Sequence, residues 1–292
     1  MGARTFAARL DAAQRALLRN VLKEARHAPH ALPRWCVDGL PVGVLCNDHP
    51  DVLADVWPAG SAALRRRGVD LDWQARGLDG AQRSAVLAEV AGRLRAAGRL
   101  PGWRDELYAF RASSTDDGAT EPDPSRPELF RLERGAFRFF GLRSQAVHIN
   151  GFTADGRMWC GRRALTKATD PGRLDNLAAG GLPAGETIAQ CMVRELWEEA
   201  GVPADLARRA VRAGHVTTAR AEREGWHDET LFVCNLVLPD GFTPRNTDGE
   251  VSGFECLAPD EVMARIAARD FSDDAACVVA ISLVQALPGH GA

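Results

Sequence analysis

Apolar residues recur every three or four positions in several long runs of the chain, and this spacing predicts helices. The runs cover residues 5–26, 78–97, 187–200, 259–269 and 273–287. A short helix is also predicted at 51–56, and a helical pattern covers 128–141. Gly201 directly follows the run at 187–200, and glycine commonly ends a helix.

Shorter apolar runs between turn residues predict strands. They lie at 34–37, 40–45, 106–111, 145–152, 158–163, 214–219, 230–238 and 253–257. The Asp38-Gly39 pair separates the first two runs and is a hairpin signal. The charged segment 220–228 is predicted to be the turn between two later strands.

The segment 112–127 is polar, contains proline and has few apolar residues, so it is predicted to be a loop or linker. We place the domain boundary near residue 140. Residues 1–140 then form an N-terminal α+β domain, and residues 141–292 form a second domain with strands before and after an acidic helix.

The composition is that of a soluble globular protein, with 46% apolar and 26% charged residues. A net charge of −3 gives no electrostatic case for a nucleic-acid partner. No apolar run approaches the roughly 18 residues that suggest a membrane span, so we expect no membrane partner. The seven cysteines form no CxxC motif, which favours free thiols in a reducing cytoplasm.

The helix predicted at 187–200 carries an acidic triplet, Glu195, Glu198 and Glu199, on a different face from its apolar stripe. Positions i, i+3 and i+4 share one face of a helix, so the three like charges repel one another unless a cation or water screens them. Convergent carboxylates suit a hard divalent cation such as magnesium. On the triplet alone, an ordinary solvated face would be the simpler interpretation.

The spacing around the triplet changes that interpretation. It resembles the Nudix box, the signature of hydrolases that act on a nucleoside diphosphate linked to another moiety and on related diphosphates. The nine fixed positions are Gly180, Glu186, Arg194-Glu195-Leu196, Glu198-Glu199 and Gly201-Val202. The resemblance implies an α/β/α sandwich for the second domain, with the N-terminal α+β domain as a smaller extension.

The family resemblance also implies roles for the box residues. Glu198 and Glu199 are expected to bind metal, and Glu195 is expected to be a ligand or a water-activating base. The Gly180 carbonyl is a further metal ligand candidate, and Arg194 is expected to orient Glu195 through a charge-assisted hydrogen bond. The implied cofactor is Mg²⁺, with Mn²⁺ as an alternative.

Many Nudix enzymes add a carboxylate from a later loop, and Glu250 is the candidate here, ahead of Glu222, Glu224 and Glu229. Glu186 resembles the family's first glutamate, which more often supports the loop. Substrate-binding candidates are the cations and glycines before the helix, because cations hold diphosphate oxygens and glycine admits close backbone approach. They are Arg162, Arg163, Lys167, Arg173, Gly180 and Gly181. For any one cation the alternative is solvation of an edge strand.

A narrower resemblance covers most of the chain. It rests on VHINGF at 147–152, Arg162-Arg163, K-x-T-x-P-G-x-L-D-N-L-x-A-G-G at 167–181 and F-x-P-x-x-x-D-G-E-V at 242–251. These strings are similar to the Nudix branch that includes proteins related to the domain fused to some thiamine pyrophosphokinases. That branch carries an N-terminal extension with a W…G…VG pattern, which Trp35, Gly39 and Val42-Gly43 fit.

The branch implies removal of phosphate from thiamine diphosphate or its oxidised, damaged analogues. Asp170 departs from it, because the branch usually has an aromatic residue there. The alternative is a Nudix hydrolase for nucleoside diphosphate sugars or dinucleotides. An isopentenyl diphosphate isomerase is disfavoured by the intact box, and so is a non-catalytic binding module. The partner expected is a small-molecule diphosphate, and the N-terminal domain is expected to shape the pocket, cover it or mediate a homodimer.

Overall fold

The computed structural model describes residues 2–27, 31–111 and 126–287. The linker predicted at 112–127 therefore lies outside the described residues, apart from its last two. The helices are α1 (Gly2–Ala7), α2 (Ala12–Glu24), α3 (His49–Val56), α4 (Gly80–Ala96), α5 (Phe137–Phe140), α6 (Ile188–Ala200), α7 (Ala204–Ala207), α8 (Pro259–Ala267) and α9 (Asp273–Ala286).

The first domain contains six strands within the described ranges, and the second contains seven. They are β1 (Arg34–Val37), β2 (Leu40–Val44), β3 (Leu64–Arg67), β4 (Asp70–Trp73), β5 (Leu107–Phe110), β6 (Phe130–Glu133), β7 (Arg143–Phe152), β8 (Met158–Arg163), β9 (Leu174–Asp175), β10 (Ala178–Gly181), β11 (Val211–Glu222), β12 (Gly225–Val237) and β13 (Val251–Leu257). A 3₁₀ turn, Arg134–Ala136, follows β6.

The second domain is built on a mixed seven-stranded sheet. Its main path has the order β11-β12-β7-β8-β13, with β10 paired to β7 and β9 paired to β8. β7 and β12 run parallel, and β7 is buried on both faces, as expected for a central strand. Helices α6 and α7 cover one face, and α8 and α9 cover the other. The α/β/α sandwich implied by the box is confirmed.

The first domain has its own sheet and core. A four-stranded sheet has the order β2-β1-β4-β3, and β5 pairs with β6 as a separate hairpin. Asp38 and Gly39, with φ angles of 54° and 84°, form the two-residue turn between β1 and β2, so that hairpin prediction is confirmed. Trp35, Trp73 and Phe140 are fully buried at the centre of this α+β unit.

The helix predicted at 5–26 is two helices, so that prediction was wrong in its continuity. Asp11 accepts a hydrogen bond from the Gln14 backbone N–H at 2.8 Å, which starts α2 afresh. Both helices pack on the second domain: Phe6 lies edge-on to Phe152 at 6.0 Å, in the same core as Leu18. The boundary near 140 stays a prediction, and the first helices belong to the second domain by packing.

Two other predictions needed correction, and one hairpin was not predicted. The helical pattern at 128–141 begins as strand β6, because Phe130 and Leu132 point inward together and pair with β5, and it becomes helical only in α5. The segment 220–228 is mostly strand, because β11 and β12 continue through it to a tight turn. The β3–β4 hairpin was not predicted, because the three exposed arginines of β3 hide any alternation of apolar and polar residues.

In the part of the chain that is described, no helix has the length and apolarity to cross a bilayer.

Two glycines of the first domain should respond oppositely to alanine. A Cβ on Gly43 would lie 2.2 Å from the Phe140 carbonyl oxygen, so Gly43→Ala should cost about 2 kcal/mol through overpacking. Gly92, inside α4, has no described atom within 4 Å of the added Cβ, so Gly92→Ala should gain about 0.5–1 kcal/mol. Chemical denaturation of both variants checks this, and equal effects would contradict the packing at Gly43.

Candidate active site

The acidic helix α6 begins and ends where the sequence predicts. Thr187 is its N-cap: the Gln190 backbone N–H donates to the Thr187 hydroxyl at 3.3 Å, and the Gln190 side chain accepts from the Thr187 N–H at 2.9 Å. Gly201 ends the helix with a φ of 63°. The apolar face packs in the core of the sandwich through Cys191, Met192, Leu196 and Ala200. The rotation of α6 about its axis is thereby set.

This rotation places the acidic triplet at two depths. Glu195 and Glu199 are only 8% and 7% exposed, whereas the side chain of Glu198 is 40% exposed. Residues four apart lie on the same side of a helix, so the two buried carboxylates are neighbours and Glu198 lies at the rim. The sequence predicts one shared polar face; the structure tilts that face into the protein.

Glu199 combines a backbone hydrogen bond with a strongly raised pKa. The Ala179 backbone N–H donates to Glu199 Oε2 at 2.8 Å. Burial raises the pKa of Glu199 well above its ordinary value, and the nearby carboxylates of Asp175 and Glu195 raise it further. Burial also raises the pKa of Glu195, against the opposing charge of Arg194. Two adjacent buried carboxylates ionise together only where positive charge is supplied.

Arg194 links the acidic residues of the box. Its guanidinium forks onto Glu186, with Nε to Oε1 at 3.0 Å and Nη2 to Oε2 at 2.8 Å. Its Nη1 donates to Glu195 Oε1 at 2.5 Å and to Glu198 Oε2 at 3.1 Å. Bidentate, charge-assisted contacts of this kind fix side-chain geometry. The arginine is placed as the sequence predicts, as a support for Glu195.

The glycine pair of β10 leaves no space for side chains. A Cβ on Gly180 would lie 1.8 Å from Glu195 Oε1, so this glycine brings the backbone directly against the carboxylate. A Cβ on Gly181 would lie 1.4 Å from the hydroxyl oxygen of Tyr108, which comes from the first domain. The pair is therefore needed for close packing on both sides of β10.

The cations expected to hold the substrate are engaged by protein groups. Arg162 donates to Glu255 at 2.9 and 2.6 Å and to the Gly172 carbonyl at 2.8 Å. Arg163 donates to Asp175 at 2.6 Å and to the Thr169 carbonyl at 3.0 and 2.8 Å. Arg173 lies 3.4 Å from both Asp170 and Asp273. These side chains brace the loop before β9, and direct binding to substrate stays a prediction for all three.

Lys167 and Glu250 lie together on the Glu199 side of the site. The Lys167 ammonium contacts the Glu250 carboxylate, and its charge opposes the raised pKa of Glu199. The Glu250 carbonyl accepts from the Ala164 N–H at 2.9 Å, which anchors the later loop to the first. Glu250 is half exposed, and its part in the site stays a prediction.

His148 lies in a buried polar network. Its Nδ1 is 2.8 Å from Asn176 Oδ1, and the Asn176 amide donates to Asn150 Oδ1 at 2.8 Å. The network continues from Asn150 to Asn235 at 3.2 Å. It supplies hydrogen-bond partners for the buried His148 and Asn150 of β7.

A second cluster of ligand-type residues, His227, Glu229 and Asp274, was not predicted from the sequence. Their ligand atoms lie within 4.8 Å of one another. The Asp274 carboxylate already accepts from Arg220 at 2.8 and 3.3 Å. Burial lowers the pKa of His227, but Asp274 outweighs it and the net shift is upward. Positive charge already compensates this cluster, so it suits a divalent metal less well than the box does.

Asp175 is the acidic residue near the box to which the sequence assigned no role. It is 7% exposed, pairs with Arg163 and adds negative charge beside Glu199. The signal was its place in the L-D-N-L string, but nothing in local spacing shows that β9 brings it next to α6. Its carboxylate increases the demand for positive charge at the site.

Neutralising Glu199 should stabilise the metal-free protein, and more so at high pH. The folded protein holds this carboxyl proton more tightly than the unfolded chain, so its contribution to stability falls as pH rises above the ordinary carboxyl value. A one-unit shift corresponds to about 1.4 kcal/mol, or roughly 2–4 °C in Tm for a chain of this size. Thermal melts in chelator should show a larger gain for Glu199→Gln at pH 8 than at pH 5. The matched control is Glu198→Gln at the exposed rim, and an equal gain at both pH values would contradict the buried charge.

Family models match both halves of the chain. A family model described as "NUDIX domain" matches residues 142–276, and one described as "Domain of unknown function (DUF4743)" matches residues 14–144. "Nudix hydrolase 24, chloroplastic" of Arabidopsis thaliana is 36% identical over 206 residues, 70% of this chain and 54% of its own. The chain thus spans about half the length of that relative. The crystal structure of DR0079 from Deinococcus radiodurans covers 43% of this chain and 73% of its own, at 27% identity and a TM-score of 0.35.

A "Nudix hydrolase" from Deinococcus radiodurans is 31% identical over 135 residues, which is 44% of this chain and 73% of the relative. The matched NUDIX region contains α6, its acidic triplet and the glycine pair before it. The chain therefore belongs to the Nudix hydrolase family.

Proposed function

We propose that the protein is a divalent-metal-dependent hydrolase of small-molecule diphosphates, with its active site at the box. The observation that carries this is a pair of buried carboxylates with Glu198 at the rim: Glu195 packs against Gly180, and Glu199 accepts from the Ala179 N–H. Burying two like charges is unfavourable unless a cation compensates them. Nudix hydrolases cleave pyrophosphate bonds, and the box supplies the charge arrangement for that chemistry.

The donor set fits a hard divalent cation. Carboxylate and carbonyl oxygens are the ligands that Mg²⁺ and Mn²⁺ take in proteins. The proposed metal-binding residues are Glu195, Glu198, Glu199 and the Gly180 carbonyl. When bound, Mg²⁺ neutralises phosphate charge and lowers the pKa of a coordinated water.

The remaining chemistry falls to the residues of the chain. Arg194 holds Glu195 in one orientation through its 2.5 Å hydrogen bond, so this carboxylate is proposed as a metal ligand or as the base that accepts the proton of the attacking water. Glu250 is the second candidate base, because it is exposed at the edge of the site.

For the substrate, we propose thiamine diphosphate or its oxidised analogues. The support is the sequence similarity at 147–181 and 242–251 to the branch related to thiamine pyrophosphokinase fusions. Asp170 lies in a left-handed turn with a φ of 49° beside Arg173, where that branch usually has an aromatic ring. The alternative substrates are nucleoside diphosphate sugars and dinucleotides. We also propose a cytoplasmic location, which the seven free cysteines support.

A substrate panel tests this proposal. Oxothiamine diphosphate, thiamine diphosphate, ADP-ribose, NADH and isopentenyl diphosphate are incubated with the full-length protein and Mg²⁺, and the products are separated by chromatography. We expect release of phosphate from the thiamine compounds at a higher kcat/KM than for the others. Turnover of ADP-ribose or NADH alone would contradict the substrate assignment, and isomerisation of isopentenyl diphosphate would contradict hydrolysis.

Glu199→Gln tests the metal assignment on whichever compound is hydrolysed. Loss of a buried metal-binding carboxylate should lower kcat by about 100-fold or more, since metal-based charge stabilisation supplies several kcal/mol to such reactions. The matched control is Glu89→Gln on α4, an exposed glutamate paired with Arg93 at 2.7 Å and far from the box in sequence. Equal Mg²⁺-dependent activity in the two folded variants would show that Glu199 is not part of the active site.

A further inference from the structure

The last turn of α6 is capped by the loop between β12 and β13. The final four carbonyls of a helix have no partner within the helix. Three consecutive residues of the loop donate hydrogen bonds to three consecutive carbonyls here: the Thr247 N–H to Glu198 at 2.9 Å, the Asn246 side-chain amide to Glu199 at 3.5 Å and the Arg245 N–H to Ala200 at 3.0 Å. Gly201 allows this close approach, because a Cβ there would lie 2.8 Å from the Arg245 carbonyl oxygen. The loop is thus fixed to the end of the helix that carries the acidic triplet.

Thr247 bonds to the helix through its side chain as well as its backbone. Its hydroxyl oxygen lies 2.8 Å from the Glu198 carbonyl oxygen and 3.2 Å from that of Trp197. A threonine hydroxyl has one proton, so it donates to one of these carbonyls at a time. Either bond holds the turn from which the Glu198 and Glu199 side chains project.

The negative end of α6 is an unfavourable place for acidic side chains. The carbonyls at the C-terminus of a helix carry partial negative charge, which repels carboxylates in the last turn. Glu198 and Glu199 both lie in that turn, and it contains no basic residue. The donors of the loop offset the charge of these carbonyls, so they support the turn that holds both carboxylates.

The same segment leads directly to Glu250. Asp248 Oδ1 accepts from the Glu250 N–H at 2.8 Å and from the Asn246 amide at 2.7 Å. Asn246 Oδ1 accepts in turn from the Gly249 N–H at 2.5 Å. Thr247 and Glu250 are therefore joined by a short turn that is held by its own side chains.

We propose that Thr247 is a positioning residue of the Nudix site, which fixes the last turn of α6 against the loop that carries Glu250. Its hydroxyl acts through the Glu198 backbone and contacts neither metal nor substrate. The inference rests on the proposed function, because it assigns the carboxylates of α6 to a divalent cation. Hydrogen bonds to the helix end restrict the carboxylates before the cation binds, so less conformational freedom is lost on binding.

Titration of the full-length protein with Mn²⁺, followed by electron paramagnetic resonance of the free ion, tests the inference without any need for turnover. Thr247→Val removes the hydroxyl but keeps the branched shape and the backbone N–H. We expect its Mn²⁺ affinity to fall about three- to tenfold, the effect of one lost hydrogen bond. Thr247→Ser keeps a hydroxyl donor and should bring the affinity back to within about twofold of wild type. Thr247→Ala replaces the valine variant if that one does not fold.

Thr153→Val is the matched control. The Thr153 hydroxyl oxygen lies 3.2 Å from the Arg157 carbonyl oxygen in the turn between β7 and β8, and Gly156 of that turn packs on α1. The substitution therefore also removes a hydroxyl that bonds to a backbone carbonyl. Its Mn²⁺ affinity should stay within about twofold of wild type, because it lies away from the last turn of α6.

The split between kcat and KM gives a second readout on whichever compound is hydrolysed. Thr247→Val should lower kcat and leave KM within about twofold of wild type, because Thr247 does not contact substrate. A raised KM with unchanged kcat would contradict a role in positioning the carboxylates.

Unchanged Mn²⁺ affinity in the folded valine variant, an equal loss in Thr153→Val, or no recovery in Thr247→Ser would overturn the inference. Failure of the wild-type protein to bind Mn²⁺ would overturn it as well. Failure of the proposed function is distinguishable, because it appears as no hydrolysis across the substrate panel while Mn²⁺ binding still depends on Thr247.

Discussion

The burial of Glu195 and Glu199 on one side of α6 is the constraint on which the site depends. Their carboxylates lie four residues apart under the glycine segment of β10, and burial raises the pKa of both. Within the protein, the Ala179 N–H and Arg194 offset part of this cost. The two carboxyl groups resist ionising together until further positive charge is present, as expected for residues that bind a cation.

The same glycine segment joins the two domains. Gly180 faces the carboxylates of the second domain, and Gly181 faces Tyr108 of the first. Because neither glycine has space for a Cβ, movement of the first domain would disturb the backbone that carries the proposed metal-binding carbonyl. Packing of α1 and α2 on the far face of the sandwich provides a second connection. The two domains proposed from the sequence pattern therefore share contacts beside the proposed active site.

Local signals in the sequence were enough to predict α6, since Thr187 and Gly201 mark its ends and its apolar stripe has helical spacing. They also predicted most strands of the second domain, whereas the α/β/α sandwich was implied by the resemblance to the Nudix box. Local signals failed where tertiary contacts decide the outcome. Strand β6 has residues that also fit a helix, and only its pairing with β5 selects the strand. The loop cations looked available for substrate, because their carboxylate partners lie far away in sequence: Asp270, for example, is 108 residues from Arg162. The contact of Tyr108 with Gly181 likewise depends on domain packing that no local pattern encodes.

We propose that the buried carboxylates of α6 form the divalent-metal site. A crystal structure of the protein grown or soaked with Mn²⁺, with anomalous diffraction data, tests it most directly, because Mn²⁺ substitutes for Mg²⁺ and marks its own position. We expect an anomalous peak between Glu195, Glu199 and the Gly180 carbonyl. A peak only at the cluster of His227, Glu229 and Asp274, or none at the box with Mn²⁺ in excess, would contradict it.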